Sequence, residues 1–145
     1  RGLDAGGLMA ETARTCTDIL RQVNPGGKIY VWSDMFDPFH NAHDNYYLTR
    51  GDLAGAWKGL DKDVIIALWY VDIRDKDMPF FIERGHKMLM CGYYDDPKTL
   101  TKNVRDWLGS AKKLGYENFT GIMYTTWNQE FDHLEEFGKV VDETR

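Results

Sequence analysis

The sequence predicts an α/β fold in which four parallel strands alternate with helices, and three observations carry that prediction. Short apolar runs of strand length recur at residues 28–32, 64–69, 86–91 and 119–124. Segments with helical spacing of apolar residues lie between them. The 64–69 run, Val64-Ile65-Ile66-Ala67-Leu68-Trp69, is apolar throughout, as strands buried on both faces tend to be. Alternation of this kind implies right-handed crossovers and a parallel sheet.

The elements follow in order. Residues 8–23 read as a helix in which Met9, Ala13, Cys16, Leu20 and Val23 form the apolar stripe, and Asn24-Pro25-Gly26-Gly27 ends it. Lys28 to Trp32 is the first strand. From Ser33 to about Asp52 runs an irregular stretch rich in Asp, Asn, His and aromatics, long for a compact domain and of a kind that often carries function. Leu53 to Lys58 reads as a helical turn and 64–69 as the second strand. Met78 to Arg84 reads as a short helix closed by Gly85, and His86 to Cys91 as the third strand. Pro97 opens a helix with Leu100, Val104, Trp107, Leu108 and Ala111 on its apolar stripe, and Gly115 closes it. Phe119 to Tyr124 is the fourth strand, and Phe131, Leu134, Phe137, Val140 and Val141 mark a terminal helix. No repeat or linker divides residues 1–145, which read as one unit.

Composition narrows the function classes. Eighteen Lys+Arg against 23 Asp+Glu give a net charge of −5, and no basic stripe supports binding to a nucleic-acid backbone. No apolar run approaches the roughly 18 residues of a membrane span. Hydrophobic residues at 43% suffice for a sizeable core, and 28% charged residues suit a soluble domain. Cys16 and Cys91 stand far apart and read as reduced, mostly buried thiols that leave the compartment open between cytoplasmic and exported. No Gly-x-Gly-x-x-Gly or phosphate loop occurs, and no cofactor is expected. The chain opens at Arg1 rather than Met, so a processed product or a piece of something longer is expected.

The unusual figure is the aromatic content, 14% from 5 Trp, 8 Tyr and 7 Phe. Ligands of parallel α/β folds bind at the carboxyl ends of the strands. Here those ends read Trp32-Ser33-Asp34-Met35, Trp69-Tyr70-Val71-Asp72, Gly92-Tyr93-Tyr94-Asp95 and Tyr124-Thr125-Thr126-Trp127, the last running on to Glu130. Each joins flat rings to polar groups, mostly carboxylates. Sugar recognition needs that mixture, because pyranose C–H faces pack on rings while hydroxyls bond to carboxylates. The competing account keeps Trp32, Trp69 and Trp127 as core aromatics, with the aspartates capping the next helices.

Other constellations say less. Asp34, Asp37, His40 and His43 recur every three residues and could ligate a divalent metal, but Pro38 places them on a loop, where a hydrogen-bonding role fits better. His86 and His133 read as structural or exposed. Asp61-Lys62-Asp63 and Asp75-Lys76-Asp77 read as solvated turns.

Val31-Trp32-Ser33-Asp34-Met35, the Trp69-Tyr70 strand end, Gly92-Tyr93-Tyr94-Asp95 and Gly121-Ile122-Met123-Tyr124-Thr125-Thr126-Trp127 resemble glycoside hydrolase family 20, the β-N-acetylhexosaminidases and their bacterial relatives. The likeness covers nearly the whole chain and falls on the second half, strands five to eight, of that family's (β/α)8 TIM barrel. It implies that Trp32, Trp69 and Trp127 enclose the sugar ring. It gives Tyr94 the acetamido group and Asp95 and Glu130 the ring hydroxyls; Asp34, Tyr70, Tyr93 and Tyr124, at the same strand ends, are the further candidates for the substrate wall. Two spacings depart from the family. Tyr94 and Asp95 are adjacent, where a residue often intervenes, and Glu130 falls one place later than the common Trp-x-Glu.

Hydrolysis in that family is substrate-assisted: the acetamido oxygen attacks, an Asp orients it and the adjacent Glu is the acid. That pair sits after strand four, so it is expected upstream of Arg1. Asp142-Glu143, in the terminal helix, is no candidate. The resemblance therefore implies the substrate-binding half of a hexosaminidase-like enzyme, inactive alone. Two alternatives stand beside it: a carbohydrate-binding module without chemistry, and a small complete glycosidase in which Asp34 works with Asp72 or Asp95. The partner expected is an N-acetylhexosamine-type sugar, with no nucleic acid and no membrane. Four strands alone leave open edges and an apolar face, so a homodimer or association with the other half-barrel is also expected.

Overall fold

In the computed structural model, which describes residues 2–44 and 51–145, four parallel strands lie side by side in their order along the chain. They are β1 (Tyr30–Trp32), β2 (Ile65–Leu68), β3 (Met88–Met90) and β4 (Phe119–Ile122). Helices α1 (Ala5–Val23), α2 (Arg74–Glu83), α3 (Pro97–Leu114) and α4 (Leu134–Thr144) alternate with them. The predicted α/β class, with four parallel strands, is the observed one. The helical turn expected at 53–58 is a 3₁₀ turn over Ala56–Gly59. The 45–50 part of the stretch read as irregular lies outside the described residues.

Register joins Val31 to Ile66, Ile66 to Met88 and Met88 to Phe119, so one row of positions crosses the sheet. A shift between Met88 and Leu89 adds a residue to β4, and the Thr120 hydroxyl donates to the Met88 carbonyl at 3.1 Å. Every crossover steps one strand in the same direction. Right-handed connections of that kind put all the helices on one face. The core lies between them and the sheet: Ile66, Leu68, Met88 and Met90 meet Met78 and Phe81 of α2, Leu100, Val104 and Trp107 of α3, and Phe137 of α4.

The opposite face is different. Tyr30, Trp32, Ala67, Leu89 and Met123 surround a concavity of about 400 Å³, and no described helix contributes to its lining. Tyr30, Trp32 and Met123 are 47%, 42% and 39% exposed there.

Local chemistry explains the helix ends. Asp4 caps α1 by accepting from the Gly7 N–H at 2.6 Å, which starts the helix before the expected residue 8. Asp96 caps α3 by accepting from the Lys98 N–H at 3.0 Å, with Pro97 in the first turn where its missing N–H costs nothing. Arg21, near the end of α1, bonds Asp61 at 2.8 Å and Asp63 at 2.7 Å. Those carboxylates, with burial opposing them, hold its pKa above the usual value, the Asp61 hydrogen bond contributing most.

Three sequence expectations are corrected. The buried positions of α1 are Gly6, Ala10 and Thr17; of the predicted stripe, Met9 and Ala13 pack against the core while half-buried, but Leu20 and Val23 are exposed, and so is the Cys16 thiol, while Cys91 is buried. Small residues win because α1 lies almost in contact with the Ala56–Gly59 turn. A Cβ on Gly59 would stand 2.2 Å from the Ala10 carbonyl oxygen. Second, α2 begins at Arg74, so Asp75 to Asp77 are helical rather than a solvated turn, and Asp77 is 1% exposed. Third, Phe131 precedes α4 and is exposed.

The tight contact makes a paired prediction. Gly59→Ala should cost about 1–3 kcal/mol through overpacking, whereas Gly109→Ala should gain about 0.5–1 kcal/mol by stiffening a helix interior. A Cβ at Gly109 would meet nothing within 4 Å. Urea midpoints of the two variants, moving in opposite directions, are the check.

Candidate functional site

The four strand ends gather on one rim. At the end of β2, Trp69 meets Trp127, from the loop after β4, with ring centroids 6.2 Å apart and planes at 66°. Tyr70 packs beside Trp69 at 5.8 Å. His40, from the loop after β1, meets Trp69 at 4.8 Å and Tyr70 at 5.2 Å. These contacts join the loops of β1, β2 and β4 through their rings. Trp127 is 64% exposed and Tyr70 37%, so part of the wall faces solvent. Trp32 stands on the open sheet face, lining its concavity.

The loop of β3 depends on Gly92, whose φ is +37° and where a Cβ would lie 2.5 Å from the Tyr94 hydroxyl oxygen. Glycine alone fits both the dihedral and the approach. The turn sends alternate side chains to opposite sides. Tyr93 stays 38% exposed, with the Asn128 side-chain N–H donating to its hydroxyl at 3.5 Å. Tyr94 goes inward, wholly buried, stacked on Tyr124 at 5.6 Å and edge-on to Phe137 at 5.0 Å. Burial raises the pKa of its hydroxyl. The acetamido contact expected of Tyr94 is therefore out of its reach, because the ring is a core residue.

The loop after β4 is fixed to its neighbours by polar contacts. The Thr125 hydroxyl lies against the Cys91 and Gly92 carbonyls, with one proton to share between them. Asp95 accepts from the backbone N–H of Trp127 at 2.7 Å and of Asn128 at 2.9 Å. Tyr124 donates to the Glu130 carbonyl at 2.7 Å, and Thr126 accepts from the Glu130 N–H at 2.8 Å. Glu130 itself is exposed. Burial pushes the Asp95 pKa up, but the Thr126 hydroxyl and the two backbone N–H groups outweigh it and leave the value lowered.

The loop after β1 folds around Asp37. Its carboxylate accepts from the Phe39 N–H at 2.8 Å, while its carbonyl accepts from His40 at 3.1 Å and Ala42 at 2.9 Å. Asp34 is half-buried, and its carbonyl accepts from the Asn41 N–H at 3.0 Å. The metal set considered for Asp34, Asp37, His40 and His43 does not assemble. Asp37 closes its own turn in the interior, His40 packs among the rings, and His43 is exposed. Among the described residues no group of three His, Cys, Asp or Glu is placed to hold an ion. Burial lowers the pKa of His40, with Asp34 opposing and His43 adding to that effect. His86 is buried against the Val64 carbonyl at 3.0 Å, a structural role. Cys91 is also no nucleophile, since burial pushes its thiol up to about 12.

One feature of this region escapes a reading by sequence turns. Asp37 and Asp77 are 0% and 1% exposed, and three of their four carboxylate oxygens have no hydrogen-bond partner. Burial, against the Phe39 N–H bond and with Asp34 adding, raises Asp37 to about 6. Burial and then the nearby Asp37 charge raise Asp77 to about 8. The signal for Asp77 was its helical phase with Met78 and Phe81, both core residues. Of the alternative acid pair, Asp72 is exposed in the Val71–Ile73 turn, and Asp95 is committed to backbone amides.

Compared with known proteins, the chain matches no protein-family model, no curated protein and no solved structure.

The buried carboxyls set a pH dependence. Each holds its proton more tightly folded than unfolded, so the folded chain binds more protons between the ordinary value of 3.8 and the raised ones. Their contribution to stability is then complete below about pH 4 and falls as pH rises, through about 6 for Asp37 and about 8 for Asp77, by at most about 1.4 kcal/mol per unit for each group. Asp77→Asn should flatten the part of the profile above pH 6, read by urea unfolding across a pH series. An unchanged slope there would show that Asp77 does not hold the proton.

Proposed function

We propose that this chain is the saccharide-binding half of a glycosidase-like (β/α)8 barrel, resembling strands five to eight of the family 20 β-N-acetylhexosaminidases. The observation that carries the reading is the aromatic rim joined across strand ends, with Trp69 and Trp127 at its centre. The uncovered sheet face supports the barrel comparison, since in a closed barrel that face is the inner wall. Leu8, Ile19, Leu20 and Val23 of α1 are exposed as well, an apolar surface suited to a preceding helix.

In this reading the Trp69–Trp127 corner packs on the C–H faces of an N-acetylhexosamine, and Trp32 lies below it on the inner wall. Tyr93, presented to solvent beside Asn128, takes the acetamido role in place of the buried Tyr94. Asp34 and Glu130 offer carboxylates to ring hydroxyls. A general acid needs a raised proton affinity and access to the glycosidic oxygen. Asp37 and Asp77 have the first without the second, and the Asp95 carboxyl is shifted the opposite way. The acid pair is therefore assigned to a complementary (β/α)4 unit, and the chain alone binds sugar without cleaving it. The same unit, or a second copy of this chain, covers the open face.

Titration with N-acetylglucosamine should give a saturable change in Trp fluorescence. Trp127→Ala should weaken binding about tenfold, the loss of one stacked ring, while an aryl N-acetylglucosaminide stays intact. A flat titration refutes the sugar reading, and clear turnover refutes the division of labour. Sedimentation at micromolar concentration should show association; a compact monomer would contradict the covered face.

A further inference from the structure

We infer that Asp95 is a positioning residue, whose carboxylate sets where Trp127 stands and is not itself presented to a ligand. The indole of Trp127 is 64% exposed, so side-chain packing secures little of it. What holds its backbone is Asp95 Oδ2, which accepts from the consecutive N–H groups of Trp127 and Asn128 at 2.7 and 2.9 Å. Consecutive amides converging on one anionic oxygen form a nest, a geometry suited to a carboxylate. Gln129 follows at φ +61°, bending the chain just past the nest. The other oxygen, Oδ1, is shielded from solvent and has no hydrogen-bond partner. Oδ1 is thus closed to a ligand, and Oδ2 is engaged by the two amides.

This departs from the role that the family resemblance gives Asp95, a ligand of ring hydroxyls. It couples two strand ends instead: the loop of β3 fixes the backbone of the loop after β4, and through it the angle between Trp127 and Trp69. The lowered pKa of Asp95 agrees, because, against burial, the Thr126 hydroxyl and then the same amides favour the charged form. The geometric part stands without any ligand, whereas the affinity part rests on the sugar reading above.

The test compares Asp95→Ala and Asp95→Asn with the parent chain by circular dichroism, reading the exciton-coupled signal of the two indoles as defined by its loss in Trp69→Phe. Asp95→Ala should lose most of that signal, while Asp95→Asn keeps it, since the amide oxygen still accepts both N–H groups. N-acetylglucosamine binding should fall about tenfold in the first variant, the worth of a charge-assisted contact, and by less than about threefold in the second. An intact signal in Asp95→Ala overturns the proposal. So does an Asn variant that keeps the signal but loses the sugar, which would make the carboxylate a direct ligand. If the parent chain does not bind the sugar, the sugar reading fails and the indole signal still decides the role of Asp95.

Discussion

The constraint on which this structure depends is the direction of its crossovers. Each connection, through the loop and 3₁₀ turn after β1 and then through α2 and α3, returns the chain to the next parallel position, so the four strands stand in chain order. Right-handed connections then leave the helices on one face. A buried layer, a bare layer and a common rim of strand-end loops all follow from that one regularity. The apolar side chains of β2 and β3 that meet α2, α3 and α4 form the core. The alternate side chains, Tyr30, Trp32, Ala67 and Leu89, form the open concavity because strand side chains alternate.

The two layers are held by different physics. Trp107, Leu100, Phe81 and Met88 are fully buried, and the helix layer gains its stability from removing them from water. The rim contains exposed rings, and exposed rings are fixed by what holds their backbone. Gly92 turns the chain so that Tyr94 fills the core while Tyr93 faces out. Thr125 and Asp95 then tie the last loop to the third. The rim's geometry is thus built from a few polar bonds laid over an apolar base.

Asp37 and Asp77 are the exception to economical packing. A buried carboxylate without full hydrogen bonding is costly, and it avoids the cost by keeping its proton. These two lie where the long loop after β1 meets α2, and His40 of that loop reaches the aromatic wall. The loop that carries wall residues therefore rests on groups whose charge state changes with pH. The proposed saccharide site and the stability of its supporting loop are linked through this contact.

Much of the fold is legible in the residues. The strand runs, the Pro97 helix with its Leu100, Val104, Trp107 stripe and the parallel arrangement follow from periodicity, because burial of an apolar face is a local pattern. The aromatic strand ends are legible too, since position at a carboxyl end is enough to place them on the rim. Direction and depth are not. Which of Tyr93 and Tyr94 faces out depends on the turn at Gly92; which face of α1 is buried depends on the close approach of Gly59. Asp77 looks solvated until α2 turns it toward the core. Residue type and spacing fix which elements form and where their ends collect. Packing between distant segments decides which side chains remain available at that rim, because availability is a property of neighbours that no local pattern contains.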